Sequence, residues 1–297
     1  MTLGMWARGT AGVPVPMGWW RIAAGVVAVV LGIGFAGPHA GAAETECKLV
    51  RTGTLNLVLD GNMPLLDTAV NGQKAYLMMD TGAAVSTITK PAADRLKLRH
   101  HWIPDVYMEG VGGRVTVDEA RLDELKLGDG AAHNLDFPVF GNHDLTDNPD
   151  IIGVLGENVL SKFDLDIDVA HNRLGLFHPV DCGNTALAYW GDPYEEAEIG
   201  RSSQLNPKIW LTVKLNGEEV RAILDTGAYT SILTTRAAKW AGLTPESPGV
   251  VHVGATTGIG DNKVEDYIGT FDTFELGGEQ IKHVRLRFGE LFDSRGF

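Results

Sequence analysis

Several common motifs of enzyme chemistry are missing from this 297-residue sequence. It contains no H-E-x-x-H, no G-x-S-x-G and no C-x-x-C, so it lacks the signatures of zinc hydrolases, serine hydrolases and paired-cysteine sites. Its nine histidines are scattered. The adjacent His100 and His101 lack the spacing of metal ligands and are more typical of an exposed surface. The sequence therefore predicts no metal site and no cofactor.

Positive charge is also in short supply. Lys and Arg number 25 against 38 Asp and Glu, which gives a formal net charge of −13. Phosphate backbones and anionic headgroups repel such a chain, so we expect neither nucleic acid nor an anionic membrane surface as its main partner. With 44% hydrophobic and 21% charged residues, the composition is otherwise that of a globular protein. The length allows one large or two medium domains.

Long apolar runs are rare, and the N-terminal region holds the most prominent one. Two arginines precede an apolar run of 14 residues, 22–35, and small residues follow it. A membrane span takes about 20 residues, so the run is short for one. Basic, apolar and small residues in this order are typical of a secretory signal peptide, with cleavage near Ala42 or Ala43. We therefore expect residues 1–43 to direct export.

Two alternatives remain open for this N-terminal segment. A cleaved signal leaves the protein periplasmic or secreted. An uncleaved segment anchors it to a membrane through residues 18–36. A membrane partner is expected only in the second case.

The sequence has only two cysteines, Cys47 and Cys182, and both follow the signal segment. Export leads to an oxidising compartment, where such a pair more often forms a structural bridge than a reactive site. We expect a disulfide that ties together the two ends of the first half of the mature chain. The alternative is two unrelated thiols.

An internal repeat organises the rest of the chain. A shift of 145 residues, without gaps, places the D-T-G-A of residues 80–83 on the D-T-G-A of residues 225–228. The same shift aligns the Asn-Gly pairs at residues 71–72 and 216–217. A given tetrapeptide is expected well under ~0.01 times in a chain of this size. The two copies therefore mark two related units.

Each unit has the same predicted elements. An Asn-Gly turn joins two apolar strands, and a short strand after the Asp leads into a helix that begins near Thr89 or near Thr234. Many short strands, few helices and frequent glycines predict an all-β protein with two lobes. We assign residues 44–182 to the first lobe, 183–208 to a connector and 209–297 to the second lobe.

An acid stands at the end of the most apolar strand of each unit. A turn needs no buried carboxylate, and burial of one costs free energy, so Asp80 and Asp225 in matched settings indicate a function. If a pseudo-twofold axis relates the lobes, the two acids meet and share one proton at acidic pH. One can then take a proton from water while the other donates to the carbonyl oxygen that the water attacks.

The residues around each acid fit this purpose. Three pairs are related by the repeat: Thr81 and Thr226, Gly82 and Gly227, and Ser86 and Ser231. The threonine hydroxyls can lock the two loops together, and the glycines allow the backbones to approach closely. The serines are equally compatible with a supporting role and with a place on a surface strand.

D-T-G-A after an apolar strand resembles the signature of retropepsin-like aspartic proteases. Two copies in one chain resemble a fused form of their dimer, as in pepsin-type enzymes. The resemblance covers residues 64–177 and 209–297. It implies an all-β, two-lobed acid-protease fold of retropepsin-like β-barrels, with catalytic roles for Asp80 and Asp225.

A further stretch, residues 150–168, is similar to the part of that family that supports the catalytic loop. There two apolar residues and a glycine precede a short helix and an apolar strand. We assign Ile152 and Gly153 to this support, and residues 154–156 are an alternative triplet.

The family also covers its substrate with a hairpin flap, and residues 108–120 lie where that flap is expected. The tip would comprise Gly110, Val111, Gly112 and Gly113, whose glycines suit a mobile segment. Residues 251–266 are the counterpart in the second lobe. An ordinary glycine-rich hairpin is the alternative for both stretches.

The second unit departs from this pattern. Its alignment runs out at Phe297, before any counterpart of residues 150–156. We therefore expect a C-terminally truncated, incomplete second lobe. Three explanations stay open: the sequence is a fragment, another chain completes the lobe, or catalysis has been lost.

The sequence favours an exported aspartic endopeptidase that hydrolyses peptide or protein substrates with a water activated by the two aspartates. An alternative of a different class is a non-catalytic peptide-binding or assembly module on the same fold. A third hypothesis is a homo-oligomer that is active only when each chain contributes its first lobe.

Overall fold

The computed structural model describes residues 46–183, 185–191, 193–200, 207–256, 258–259 and 262–291. The predicted signal or anchor segment and residues 201–206 of the connector lie outside these ranges. Among the residues described, no helix has both the length and the apolar character needed to cross a membrane.

The first lobe is built almost entirely of strands. Its elements are β1 (Lys48–Asp60), β2 (Met63–Val70), β3 (Gln73–Met79), β4 (Thr87–Thr89), α1 (Lys90–Arg95), β5 (His100–Gly110), β6 (Gly113–Leu127), β7 (Gly130–Phe140), β8 (Ile151–Leu155), α2 (Glu157–Leu160), β9 (Asp164–Asp168) and β10 (Arg173–Val180).

The second lobe repeats the central part of this order. Its elements are β11 (Trp210–Leu215), β12 (Glu218–Ile223), β13 (Ile232–Thr234), α3 (Thr235–Trp240), β14 (Val251–Thr256), β15 (Val264–Leu276) and β16 (Glu279–Gly289). Each lobe has its own apolar core, with Leu77, Ile88 and Phe137 in the first and Leu215, Phe271 and Phe288 in the second. The predicted all-β, two-lobed architecture is confirmed.

Matching hairpins open the repeated part of each lobe. Asn71 and Gly72 join β2 to β3 with φ angles of 49° and 77°, and Asn216 and Gly217 join β11 to β12 with 50° and 85°. Two consecutive positive φ values match the twist of antiparallel strands and are tolerated best by Asn and Gly. The helix starts also agree with the prediction, since Thr89 and Thr234 cap α1 and α3 through their side chains.

The sheet of the first lobe encloses the end of β3. Its strand order is β5-β6-β7-β4-β8-β3-β2-β1-β10-β9, and an additional pairing joins β6 to β2. Strand β8 runs parallel to β3 on one side and antiparallel to β4 on the other. The loop that carries Asp80 leaves β3 and returns through β4, so β8 lies directly between the two ends of that loop.

The second sheet has the order β12-β11-β15-β16-β13, with β14 paired to β15. β13 runs parallel to β16, as β4 does to β7. In the described part of the second lobe, no strand occupies the place between β12 and β13 that β8 has between β3 and β4.

A disulfide closes the first lobe, as predicted. Cys47 and Cys182 are bonded across a sequence separation of 135 residues. They flank the antiparallel pair of β1 and β10, in which Lys48 lies opposite Val180. The chain therefore enters and leaves this lobe at one covalently joined point.

The acidic stretch D-L-D-I-D of β9 has the alternation that predicts a strand with one solvated face, but that prediction is wrong. Asp164 and Asp166 are each only 5% exposed. Asp166 accepts a hydrogen bond from the hydroxyl of Tyr189 in the connector, and it lies 3.5 Å from the guanidinium of Arg173. Partners from the connector and from β10 thus satisfy this acid in the interior.

Candidate functional site

Two acids follow the ends of equivalent strands. Asp80 comes directly after β3, and its amide donates to the carbonyl of Leu155 at the end of β8, at 3.0 Å. One residue, Leu224, separates β12 from Asp225. The amide of Leu224 donates to the carbonyl of Ile209 at 3.0 Å. Each acid is thereby fixed to the sheet of its own lobe.

The loops of the two lobes are locked together by their threonines. The Thr81 amide donates to Thr226 Oγ1 and the Thr226 amide donates to Thr81 Oγ1, both at 3.1 Å. The Thr81 hydroxyl in turn donates to the carbonyl of Leu224 at 2.6 Å, and the Thr226 hydroxyl donates to that of Met79 at 2.7 Å. Four reciprocal hydrogen bonds across the pseudo-twofold axis therefore hold both acids in place.

The glycines after these threonines bring the two carboxyl groups to the axis. A Cβ atom on Gly82 would lie 2.3 Å from Cγ of Asp225, and one on Gly227 would lie 2.4 Å from Cγ of Asp80. Each carboxyl group thus packs against the glycine of the opposite loop, where any larger residue would collide with it.

Backbone amides orient both carboxyl groups. Oδ1 of Asp80 accepts from the amides of Gly82 and Ala83, each at 2.9 Å, and Oδ1 of Asp225 accepts from the amide of Gly227 at 2.9 Å. These bonds leave the second carboxyl oxygen of each acid available for another contact.

Burial of its carboxyl group raises the pKa of Asp80 to about 7, and the nearby charge of Asp225 contributes in the same direction. A hydrogen bond with Asp225 also raises this pKa, while the amides of Gly82 and Ala83 lower it. An acid in this setting holds its proton beside a second carboxyl group, because two adjacent negative charges repel each other.

The predicted supporting residues, Ile152 and Gly153, lie in β8 just before the residues that contact the Asp80 loop. Ile152 is a buried core residue, and Gly153 fits between β3 and β4, paired with Leu77 and Ile88. The alternative triplet, residues 154–156, makes the direct contacts with the loop through the carbonyl of Leu155 and through Gly156. A Cβ atom on Gly156 would lie 2.8 Å from the carbonyl oxygen of Ala83.

The two candidate serines have different environments. Ser86 is fully buried. Its hydroxyl donates to Asn158 Oδ1 at 2.7 Å and accepts from the amide of Gly156 at 3.0 Å. Ser231 is exposed. Only the serine of the first lobe therefore supports a loop.

Sequence reasoning missed two residues of α2, Glu157 and Asn158. Asn158 accepts from both the amide and the hydroxyl of Ser86. Glu157 is only 2% exposed, and its Oε1 has no hydrogen-bond partner. A charged residue at the start of a short helix is usually a solvated cap. The available signal was the position of Glu157 between two apolar strands, which indicates burial.

The predicted flap is a hairpin whose tip reaches the other lobe. Residues 110–113 join β5 to β6, and the carbonyl of Gly112 accepts from the amide of Asn262 at 3.1 Å. A Cβ atom on Gly110 would lie 3.2 Å from Ile259, and one on Gly258 would lie 2.7 Å from the carbonyl oxygen of Val111. The tips of the two hairpins are thus in contact.

No metal centre is evident in the ranges that the structure covers. No group of three or more His, Cys, Asp and Glu side chains there could hold a metal ion.

Two all-β lobes that each bring a strand-terminal Asp-Thr-Gly loop to a common axis define the acid-protease fold. The sequence profile of the aspartyl protease family matches residues 66–159 and 211–293, which together make up more than half of the chain. The chain belongs to this family, whose profile it matches once in each of its two repeated lobes.

Solved structures similar to the chain include two proteases. A retropepsin-like aspartic protease from Rickettsia conorii is 20% identical, and the alignment covers 46% of this chain and 94% of that one, with a TM-score of 0.30. The EIAV protease in complex with the inhibitor HBY-793 is 24% identical over 34% of this chain and 86% of its own, with a TM-score of 0.27. No curated protein matches the chain.

Proposed function

We propose that the protein is an exported aspartic endopeptidase in which Asp80 and Asp225 activate one water molecule. The observation that carries this proposal is the reciprocal packing of each carboxyl group against the glycine of the opposite loop. That arrangement leaves two acids facing one space with a single proton between them at acidic pH.

The chemistry follows from this shared proton. The ionised carboxyl group takes a proton from water as the water oxygen bonds to the carbonyl carbon of a peptide. The protonated carboxyl group donates its proton to the carbonyl oxygen, which gives a tetrahedral diol. In the second step one carboxyl group recovers a proton from a diol hydroxyl and the other protonates the amide nitrogen. The C–N bond then breaks, and the pair returns to its starting state.

The substrate is a peptide or protein segment in an extended conformation. The hairpin tips, which meet through Gly112 and Asn262, would close over it and exclude bulk water from the reacting bond. Because the pKa of Asp80 is about 7, we expect the pair to keep its proton through the acidic range and to lose activity as the pH rises through about 7.

The decisive experiment is cleavage of a peptide library, read by mass spectrometry between acidic and neutral pH. Asp80→Asn and Asp225→Asn should each lower the cleavage rate about a hundred- to ten-thousandfold, because each removes one partner in proton transfer. Asp129→Asn, in the turn between β6 and β7, is the matched control. Undiminished cleavage in a folded Asp80→Asn variant would rule out this mechanism.

Another candidate is a peptide-binding or assembly module without turnover. It is favoured by the position of the Asp225 carboxyl group, which is exposed, whereas Asp80 is partly buried. Calorimetric binding of library peptides without products at any acidic pH would identify this function. Activity that rises with self-association, measured by sedimentation, would instead indicate a homo-oligomer.

Export is the part of the proposal that depends on residues 1–43 alone. A mature N-terminus at residue 43 or 44, found by intact mass of the protein from its own source, supports a cleaved signal. A retained segment would support a membrane anchor.

A further inference from the structure

The loops of the two acids are held by different partners at equivalent positions. Ala84 and Tyr229 are related by the repeat, since each lies four residues after the acid of its lobe. The carbonyl of Ala84 accepts from the amide of Asn158 in α2, within the same lobe, at 3.1 Å. The carbonyl of Tyr229 accepts from the side-chain amide of Asn62, in the first lobe, at 3.0 Å. At this position the second loop is therefore held from the opposite lobe.

The ring of Tyr229 also lies against the turn that carries Asn62. A Cβ atom on Gly61 would lie 3.4 Å from Cε2 of this ring and 3.6 Å from its hydroxyl oxygen. Gly61 has a φ angle of 60°, which glycine adopts at little cost. The same turn thus meets Tyr229 at its backbone and at its ring.

This turn belongs to the sheet that carries Asp80. It joins β1 to β2 as a tight hairpin in which Asp60 lies opposite Met63. β2 in turn pairs along its length with β3, the strand that leads into Asp80. Because paired strands hold one another in register, the turn offers the Asp225 loop a contact whose position is fixed relative to Asp80.

Contacts with the first lobe lie on both sides of the residue that orients Asp225. Thr226 takes part in the threonine lock, and Tyr229 is bonded to Asn62. Gly227, whose amide donates to Oδ1 of Asp225, lies between them. Asp225 itself is exposed, so its orientation depends on the loop more than on enclosure by surrounding side chains.

The bond from Asn62 is not reproduced by the repeat. A shift of 145 residues places Pro207 on Asn62, and proline has no side-chain donor. Residue 207 therefore cannot hold Ala84 in the way that Asn62 holds Tyr229. The first loop takes its support from α2 instead.

We propose that Asn62 is a positioning residue for Asp225: its side-chain amide supports the second loop from the first lobe, at the position where α2 supports the first loop. The inference rests on the proposed function. The role of Asn62 is to keep the amide of Gly227, and with it the carboxyl group of Asp225, aligned with Asp80.

The first test compares kcat and KM of the wild type and Asn62→Ala on a peptide that the protein cleaves. Loss of one hydrogen bond to the loop should lower kcat about three- to tenfold and leave KM nearly unchanged, because only the alignment of the reacting groups is disturbed. Asn62→Gln keeps an amide donor and should recover part of the rate. Asn56→Ala, at an exposed position of β1, is the matched control and should change neither constant.

A purely structural role predicts a different result. Asn62→Ala would then lower the free energy of unfolding without changing kcat at a temperature where the variant is folded. An unchanged kcat in the folded variant would overturn the proposal. A rise in KM alone would also overturn it, because it would indicate that Asn62 binds the substrate.

Hydrogen exchange of single amides, measured by NMR, tests the support without activity and so separates this inference from the proposed function. The amides of Gly227 and Gly82 make equivalent bonds to Oδ1 of Asp225 and Asp80. In Asn62→Ala the Gly227 amide should exchange about three- to tenfold faster, and the Gly82 amide should be unaffected. This result would support the proposal even if no peptide is cleaved. Unchanged exchange at Gly227, or equal acceleration at both glycines, would overturn it even if the protein is an active protease.

Discussion

Gly153 lies so close to Thr87 that a Cβ atom on the glycine would be 1.9 Å from the threonine carbonyl oxygen. The contact arises because β8 enters between β3 and β4, with Gly153 at the narrowest point. The closeness of these backbones lets the end of β8 reach the amide of Asp80.

Replacement of Gly153 by alanine should therefore lower the free energy of unfolding by about 3 kcal/mol or more, because the added methyl group meets backbone that cannot move aside. Urea denaturation would measure the change. Gly130→Ala is the matched control, since a Cβ atom there would be 3.5 Å from its nearest neighbour. Equal stability of the two variants would contradict this account of β8.

The threonine lock between the lobes leads to a second prediction. Thr226→Val keeps the size of the side chain but removes the hydroxyl that accepts from Thr81 and donates to Met79. Two polar backbone groups then lose their partners, and the free energy of unfolding should fall by about 2 to 3 kcal/mol. Thr226→Ser keeps the hydroxyl and should lose much less. Equal free energies of unfolding for Thr226→Val and Thr226→Ser, measured by urea denaturation, would show that the hydroxyl contributes little to stability.

The buried acid of α2 should make stability depend on pH. The pKa of Glu157 is 4.5 in an unperturbed chain and about 7 in the folded protein, so the folded state binds its proton more tightly. The resulting stabilisation is fully present below pH 4.5 and is lost as the pH rises through about 7. Glu157→Gln should remove a component on the order of 1 to 3 kcal/mol from this decline.

This pH dependence can be measured by urea denaturation at several pH values. Asp80 has a raised pKa as well, so the slope should become shallower in Glu157→Gln without vanishing. Identical slopes in the variant and the wild type would show that Glu157 titrates normally in the folded state.

The disulfide between Cys47 and Cys182 should be a major source of stability. It closes a long loop, and loss of such a bridge typically costs about 2 to 5 kcal/mol because the unfolded chain gains freedom. The double variant Cys47→Ser, Cys182→Ser should unfold at lower urea concentration than the wild type and should not respond to reductant. A wild type that is equally stable with and without reductant would contradict this role.

Much of the fold could be predicted because the same local sequence signals occur in both units of the repeat. The Asn-Gly turns have positive φ values that few residues adopt, and the threonine caps satisfy amides at helix starts, so both are dictated by nearby residues. Asp80 and Asp225 stood out because an acid after an apolar strand is costly to bury. The structure partly buries Asp80 but leaves Asp225 exposed, so the predicted burial is wrong for the second acid. Their meeting at an axis followed from the duplication itself.

The features that were predicted wrongly or not at all depend on contacts between residues far apart in sequence. The alternation in β9 is typical of a strand with one solvated face, but the connector covers that strand and supplies Tyr189 as a partner for Asp166. The environment of Glu157 depends in the same way on how β8 is inserted between β3 and β4. Such burial is decided by tertiary packing, which the pattern of a single segment does not contain.

The contact between the hairpin tips closes a ring of protein around the opening between the two lobes. The lobes touch at the threonine lock and again where Gly112 meets Asn262, so the space between them is closed at both of these points. A free chain end could be threaded through that opening, but a segment in the middle of a folded protein could enter only after the tips part. The backbone hydrogen bond from Asn262 to Gly112 would then have to break before such a segment is admitted.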